Sequence, residues 1–321
     1  MKKFVINLFI FNLICFCVFL GVKLLIKQKV RSNNDYLATI SDKHKALLNL
    51  KGAKLIFSGG SNLVFGLNSR QIQSKFGIPV INLSMHAGLG SLFILNELKY
   101  SMKSGDVIFL SLEYLLDSNG EYKLKKHATK GFPEAANYYD IDLSEEIISE
   151  IDQLRTDFFS SFSVEKAIEN RRIGPEIYSR SAFNKFGDIN IRLSTSKIVN
   201  VIERPRFSYR YWEGIALLND FYKFAHSKNV DVYFIYPCFP SSAYELNKEV
   251  IARISSDLKK DLLIEIIGNP IDFVFPDTMF FDTIYHLNSI GQINRTDKLV
   301  GLMESNSQVQ NSILNIKNRM H

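Results

Sequence analysis

The stretch Ala53–Asn68, AKLIFSGGSNLVFGLN, decides the fold that the sequence predicts. Its apolar run Leu55-Ile56-Phe57 ends in Ser58-Gly59-Gly60 and then presents Ser61. A short apolar run bounded by glycines is typical of a buried strand that ends in a tight turn. Such a turn can hold a hydroxyl at the carboxyl end of a strand, where open α/β sheets bind their ligands. We therefore expect Ser61 to be a nucleophile.

Outside this stretch, the sequence alternates between short apolar strands and helices. Because this alternation favours parallel strands joined by right-handed crossovers, it predicts an α/β fold. We expect a three-layer α/β/α sandwich with about five parallel strands, of the flavodoxin-like kind. The predicted strands are Ala53–Ser58, Pro79–Ser84, Val107–Leu112, Val230–Tyr236 and Leu262–Ile267. The predicted helices are Ser69–Phe76, Ser91–Met102, Glu145–Phe159, Trp212–Ser227, Tyr244–Lys259 and one that starts near Asn288.

The expected domain organisation has four parts. Residues 1–31 form a transmembrane signal anchor, and residues 32–52 form a linker with one helix. Residues 53–304 form the α/β domain, and residues 305–321 form a polar tail. The alternation stops over about 117–211, which predicts a helical, aromatic-rich insertion of a kind that often covers active sites.

The N-terminal segment predicts a membrane anchor. Phe4–Val22 contains no charged residue, and at about 1.5 Å per residue it is long enough to cross a bilayer core. Lys27-Gln28-Lys29-Val30-Arg31 follows without a small-residue cleavage site, which favours an uncleaved, single-pass anchor in the cytoplasmic membrane. Basic residues flank both ends, so the positive-inside rule does not decide the orientation.

Composition excludes several other classes of function. The net charge of +6 is too small an excess to indicate nucleic-acid binding. Cys15 and Cys17 lie in the apolar segment, which leaves Cys238 without a disulfide partner in the remaining chain. The six histidines show no metal-ligand spacing, so no metal and no cofactor are expected. The basic excess lies in the insertion and fits a solvated or membrane-facing surface better than a groove for an anionic polymer.

A second group of residues supplies the partners that a serine nucleophile needs. Serine reacts readily when a neighbouring base takes its proton, and the base works best when a carboxylate fixes its tautomer. Asp282 and His286 follow the fifth predicted strand, on a loop that would emerge at the same sheet edge as the turn at Ser61. We therefore expect His286 to act as the base and Asp282 to orient it.

The tetrahedral intermediates of acyl transfer also need hydrogen-bond donors for their oxyanion. The candidates are the backbone N–H groups of Asn62, Gly88 and Gly90, together with the side chain of Asn62.

Each of these assignments has a structural alternative. Ser61 can belong to a turn that only connects a strand to a helix. Asp282 can be a helix cap or a loop carboxylate, with Asp277 as the orienting residue instead. Glu113 suits a structural salt bridge as well as it suits a role in the site. Cys238 fits a buried, inert thiol better than a residue that borders the site.

Together these residues resemble the SGNH (GDSL-like) hydrolase superfamily. The resemblance covers roughly Ala53–Leu112 and Val230–Met303. Gly60-Ser61-Asn62 stands where the family has its Gly-Asp-Ser block, which implies that Ser61 is the nucleophile. Asn82-Leu83-Ser84 followed by Gly88 is similar to the second block, whose glycine donates to the oxyanion hole.

The sequence departs from the family pattern in two places. Asp282 and His286 match the last block, but they are four positions apart where the family usually has three. The third block, Gly-x-Asn-Asp, is absent, and Ser111-Leu112-Glu113-Tyr114 occupies its place. The usual asparagine oxyanion donor is therefore missing or replaced.

An anchor followed by such a domain is similar to the DltD-like and alginate-acetylation-type envelope proteins of this superfamily. The resemblance implies a serine esterase or O-acyltransferase that acts on acyl, acetyl-type esters of an envelope or exported polysaccharide. It also implies a soluble domain outside the cytoplasmic membrane, with a membrane-bound acyltransferase as a candidate partner. The alternative is a non-catalytic envelope protein that keeps the fold and binds an acylated glycan or that acyltransferase.

Overall fold

The computed structural model describes residues 2–29, 35–140, 143–162, 176–189 and 205–320. The chain divides into two compact units, Met1–Asp35 and Tyr36–His321. The first unit contains one long helix, α1 (Lys2–Lys29). In the described part of the chain, no helix combines the length and the hydropathy that a membrane crossing requires.

The second unit is built on a parallel five-stranded sheet, as the alternating pattern predicts. The sheet runs in the order β2-β1-β3-β4-β6, and every pairing in it is parallel. A separate pair, β5 and β7, is also parallel. The strands are β1 (Leu55–Gly59), β2 (Val80–Asn82), β3 (Val107–Ser111), β4 (Asp231–Ile235), β5 (Phe239–Pro240), β6 (Glu265–Ile267) and β7 (Val274–Phe275).

Helices connect the strands, and the arrangement is consistent with a three-layer sandwich. The helices of this unit are α2 (Thr39–Asn49), α3 (Ser61–Gly66), α4 (Ser69–Phe76), α5 (Ser91–Ser101), α6 (Tyr122–Gly131), α7 (Leu143–Phe162), α8 (Gly214–Ser227), α9 (Ser241–Asp261), α10 (Ser289–Ser305) and α11 (Ser307–Met320). Short 3-10 turns cover Ala87–Leu89, Pro133–Tyr138, Glu176–Tyr178, Arg180–Ala182, Pro270–Phe273 and Asp277–Met279.

The two central strands are buried along their whole length. Every residue of β1 and β3 is inaccessible to solvent, which explains why both read as continuous apolar runs. Phe57, Phe109 and Tyr233 lie opposite one another on adjacent strands, and their rings stack at 5.0 and 5.3 Å. Cross-strand aromatic pairs of this kind stabilise the register of the sheet.

The C-terminal segment differs from the expected polar tail. After Ser305 the chain forms α11, and Val309, Ile313 and Ile316 of that helix are buried in the main core. These three residues recur at intervals of four and three, which places them on one face of a helix. The polar residues between them mask this periodicity in the composition of the segment.

The predicted insertion lies only partly within the described residues. It contains α6, α7 and the short turns between Glu176 and Ala182, and α6 was not expected. Ala128 of α6 and Phe93 of α5 belong to a second apolar cluster, which also includes Leu37, just before α2, and Ile40 of α2. Residues 163–175 and 190–204, which carry much of the basic excess, are outside the described part.

Candidate active site

The turn that presents Ser61 requires glycine at the two positions before it. A Cβ atom at Gly59 would overlap the backbone carbonyl oxygen of Ser111, and a Cβ atom at Gly60 would overlap the carboxyl group of Glu113. Because both side chains are absent, the end of β3 can approach the turn between β1 and α3 closely. Ser61 is the first residue of α3, at the carboxyl end of the sheet.

The structure brings Ser61, His286 and Asp282 together. The Nε2 atom of His286 lies 2.9 Å from the Oγ atom of Ser61, and its Nδ1 atom lies 2.7 Å from Oδ1 of Asp282. The loop that carries Asp282 and His286 is closed by an antiparallel bridge between Phe280 and Leu287. This closure holds both side chains over the end of the neighbouring strands, although 225 positions separate Ser61 from His286.

The hydrogen bonds define a tautomer for the imidazole when Asp282 is ionised. Nδ1 of His286 then carries the proton and donates a hydrogen bond to Asp282. Nε2 therefore accepts a hydrogen bond from the hydroxyl of Ser61. The ring of His286 is buried and stacks on Phe65 of α3, with 3.9 Å between the ring centroids. This stacking fixes the plane of the imidazole next to the serine.

The environment of Asp282 favours its ionised form. Burial alone would raise the pKa of this carboxyl group, but the hydrogen bond and charge of His286 and the hydroxyl of Tyr178 hold the pKa below its usual range. The side chain of Asp282 is 23% exposed, so water also contributes to its solvation.

Tyr178 is part of the site although no sequence motif indicates it. Its hydroxyl donates to Oδ2 of Asp282 and lies 3.2 Å from Nδ1 of His286. Its ring contacts those of Phe65 and Tyr36. Burial and the bond to Asp282 raise the pKa of the phenol, so the hydroxyl keeps its proton and remains a donor. Through this residue the insertion contributes directly to the site.

Arg295 is fully buried and binds the turn that follows β1 through Asn62. Nη1 of Arg295, on α10, donates to the backbone oxygen of Asn62 at 2.6 Å, and Nη2 donates to Oδ1 of Asn62 at 2.9 Å. Nη2 also lies 3.2 Å from Oγ of Ser111. Sequence reasoning missed this residue, because an arginine on an amphipathic helix is usually exposed.

The structure does not place Asn62 as an oxyanion donor. Its side-chain amide donates to the backbone oxygen of Ser111 at 3.0 Å, and its backbone N–H donates to Oε1 of Glu113 at 3.1 Å. The backbone N–H of Asn62 and one of its two Nδ2 hydrogens therefore already have acceptors within the chain. The buried side chain connects the turn to the end of β3 and to Arg295, which is a structural role.

The other predicted oxyanion donors are also engaged. The N–H of Gly88 donates to Nδ1 of His86 at 2.9 Å, and the N–H of Gly90 donates to the backbone oxygen of Ala87 at 2.9 Å. Among the described residues, the backbone N–H of Ser61 itself has no acceptor. It is therefore the backbone donor that remains for a negative charge developing beside the Ser61 hydroxyl.

Glu113 lies against the turn with one of its oxygens unpaired. Its carboxyl group is buried beside Gly60, and among the described residues Oε2 has no hydrogen-bond partner. Burial raises the pKa of Glu113, and the hydrogen bonds from Asn62 and the charge of His286 oppose this effect without cancelling it. A salt bridge, one of the two roles considered for Glu113, is not formed within the described part of the chain.

Two further candidates have structural contacts. Asp277, the alternative orienting residue, accepts from Ser241 Oγ at 3.1 Å and from the N–H of Ser242 at 3.0 Å, at the start of α9. Cys238 is buried and donates to the backbone oxygen of Tyr285 at 3.2 Å. Burial raises the pKa of its thiol to about 11, so the group is protonated at neutral pH and a poor nucleophile.

The arrangement of Ser61, His286 and Asp282 has the geometry of an activated nucleophile. A hydroxyl contacts an imidazole, and the imidazole contacts a carboxylate, each within hydrogen-bond distance. The described residues contain no group of three or more side chains that could hold a metal ion. No model of a known protein family matches the chain, and no curated protein matches it either.

Proposed function

We propose that this chain is a membrane-anchored serine esterase or O-acyltransferase of the SGNH (GDSL-like) type. The observation that carries the proposal is the continuous hydrogen-bonded chain Ser61–His286–Asp282 at the carboxyl end of a parallel sheet. Ser61 and the neighbouring pair Asp282 and His286 come from two distant parts of the sequence, and they are arranged in the order that nucleophilic catalysis requires.

The proposed reaction proceeds in two transfers. Nε2 of His286 removes the proton of Ser61 as Oγ forms a bond to the acyl carbon, and Asp282 stabilises the imidazolium. The tetrahedral intermediate collapses, the ester bond breaks, and the departing alcohol takes the proton from Nε2. Water or a sugar hydroxyl then gives its proton to Nε2 as its oxygen forms a bond to the acyl carbon. The bond between that carbon and Oγ breaks, Oγ takes the proton back from Nε2, and the free acid or the new ester leaves.

The proposed substrate class rests on the family resemblance. An acyl, acetyl-type ester of an envelope or exported polysaccharide is the substrate that this resemblance implies, with a membrane-bound acyltransferase as a partner. The proposed membrane attachment rests on the uncharged run Phe4–Val22. After cell fractionation, we expect the full chain in the membrane pellet after an alkaline carbonate wash. Release into the supernatant would contradict the anchor.

A second candidate function is supported by a specific observation. The backbone N–H groups of Asn62, Gly88 and Gly90 all donate within the chain, so the backbone donors predicted from the sequence are not available to an oxyanion. The engagement of these backbone donors is the observation that favours a non-catalytic protein that binds an acylated glycan or a membrane acyltransferase. Such a protein would keep the fold without turning over an ester.

Labelling and turnover separate these two functions. Full-length protein in detergent is incubated with a serine-reactive phosphonate and, separately, with p-nitrophenyl acetate. We expect label and turnover in the wild type and in Ser305→Ala, an exposed serine at the end of α10, and neither in Ser61→Ala. His286→Gln should be inactive, whereas His226→Gln, at an exposed histidine of α8, should be unaffected.

The outcome that contradicts the enzyme proposal is equally specific. Folded wild-type protein that takes no label and cleaves no ester, but binds an acetylated polysaccharide, would support the binding function. Label that persists in Ser61→Ala would show that another residue is the nucleophile.

A further inference from the structure

The proposed reaction needs hydrogen-bond donors for its oxyanion, and most of the candidate backbone donors around Ser61 are already engaged. The N–H of Ser61 is unpaired, while the N–H groups of Asn62, Gly88 and Gly90 have acceptors. In serine hydrolases the donors that face the developing negative charge are a large part of catalysis. A side chain that flanks Ser61 could supply a further hydrogen-bond donor to the oxyanion.

Glu113 is the candidate for that donor because its carboxyl group lies beside both chain neighbours of Ser61. Its carboxyl group touches the α-carbon side of Gly60, and its Oε1 atom accepts the N–H of Asn62 at 3.1 Å. Gly60 and Asn62 are the two chain neighbours of Ser61, so the carboxyl group spans the turn beside the nucleophile. Oε2 is buried and has no partner among the described residues, although a buried polar oxygen without a partner is costly.

Several charged and titratable groups surround Glu113, and none of those described forms an ion pair with it. Those that interact with it are Tyr285 and His286 from the loop after β7, Arg295 from α10, Cys238 just after β4, and Tyr36 before α2. Burial is the largest effect and raises the pKa of the carboxyl group. No nitrogen of Arg295 lies within 4.0 Å of a Glu113 oxygen, and the guanidinium instead binds Asn62 and Ser111.

We propose that Glu113, as a neutral carboxylic acid, donates a hydrogen bond from Oε2 to the oxyanion formed on Ser61. This inference rests on the proposed acyl-transfer function. In the neutral acid, Oε1 accepts from Asn62 while the Oε2 hydroxyl is free to donate, so both oxygens are satisfied in the intermediate. No bond to Glu113 forms or breaks, and its proton stays on Oε2. An ionised Glu113 would repel the oxyanion instead.

The proposal makes a distinctive prediction about two substitutions. Glu113→Gln keeps the acceptor oxygen and replaces the hydroxyl with an N–H donor, so kcat/KM should stay within about tenfold of the wild type. Glu113→Ala removes the donor and should lower kcat by about 100-fold to 1000-fold, the range seen for loss of one oxyanion donor. Purified full-length variants are compared with p-nitrophenyl acetate, with circular dichroism as the check on folding.

The pH profile distinguishes donation from a structural role. In the wild type, activity should fall at alkaline pH as Glu113 loses its proton, and this alkaline fall should be absent in Glu113→Gln. A residue that only positions Asn62 would leave the profile unchanged. Glu97→Gln, at a buried glutamate paired with His44 away from the serine, is the matched control and should keep the alkaline fall.

An infrared difference spectrum tests the protonation state without any turnover. The band of a protonated carboxyl group should be present in the wild type and absent in Glu113→Gln. Absence of that band at neutral pH would overturn the inference and would indicate that Glu113 is ionised. If the wild type is active but Glu113→Gln is as impaired as Glu113→Ala, the inference is also overturned. If the wild type shows neither label nor turnover, the acyl-transfer function itself is refuted.

Discussion

Removal of the Tyr178 hydroxyl tests how the insertion contributes to the proposed active site. The phenol donates to Oδ2 of Asp282 and lies beside Nδ1 of His286, so Tyr178→Phe deletes one donor to the carboxylate and leaves the ring in place. The imidazole keeps its bond to Oδ1 of Asp282. The substitution therefore weakens the orientation of His286 without removing a member of the triad.

The expected magnitude follows from the exposure of the hydrogen bond. A hydrogen bond to a charged group contributes about 1.5 to 3 kcal/mol. Tyr178 is 37% exposed, so water can partly replace its hydroxyl, and we expect the lower end of the range. A loss of about 1.5 kcal/mol corresponds to about a tenfold decrease in kcat/KM.

The effect on stability should depend on pH with a defined sign. Because the pKa of Asp282 is lowered in the folded state, its contribution to stability is present above the ordinary carboxyl pKa. That contribution is lost as the pH falls through the lowered value. Loss of the Tyr178 donor reduces the contribution, so the difference in Tm between wild type and variant should shrink as the solution is made acidic.

The control is a tyrosine with the same exposure outside the site. Tyr209 is also 37% exposed and donates to Oδ2 of Asp257 at 3.0 Å. Tyr209→Phe should leave the hydrolysis of p-nitrophenyl acetate unchanged. The reasoning is refuted if Tyr178→Phe keeps wild-type kcat/KM, or if both variants lose activity to the same extent.

Three further predictions concern the buried parts of the structure. Arg295→Leu removes the donors to Asn62 and should lower the unfolding free energy in urea by about 3 kcal/mol; an unchanged midpoint would contradict this. Ile313→Ala should lower the free energy of unfolding by about 2 to 4 kcal/mol, whereas Leu314→Ala, at an exposed neighbour, should lower it by less than about 0.5 kcal/mol. Equal effects would show that α11 does not pack as described. Burial, opposed by nearby carboxylates, lowers the pKa of Lys43 to about 7. Because the unfolded chain then binds the proton more tightly than the folded protein, wild-type stability should rise between about pH 7 and 10, and Lys43→Met should lack this rise. Identical pH dependence of Tm in both proteins would refute the last prediction.

The sheet could be predicted because its signals are local. Continuous apolar runs such as Leu55-Ile56-Phe57 identify strands that are covered on both faces, and glycines mark their ends. The positions of the strand ends were predicted less accurately. The fifth strand was expected from Leu262 but begins at Glu265, because α9 extends to Asp261 and the chain needs a short connection before it enters the sheet.

Part of the candidate site could also be predicted, because its sequence signals are local. Ser61 and the pair Asp282 and His286 each stand in a short stretch with recognisable turn chemistry and spacing. Parallel topology then requires that loops at the carboxyl ends of neighbouring strands lie close together. Their meeting at hydrogen-bond distance follows from this topology, while their chemical roles remain proposals.

The sequence alone predicted about five parallel strands, the candidate nucleophile and its candidate base, because apolar periodicity and turn residues act over a few positions. Only the tertiary structure decided which donors are available around Ser61. The contacts of Tyr178 with Asp282, of Arg295 with Asn62 and of Asn62 with Glu113 join residues 104, 233 and 51 positions apart. No local pattern encodes such contacts, because a hydrogen bond between distant segments depends on how the helices and loops pack against the sheet.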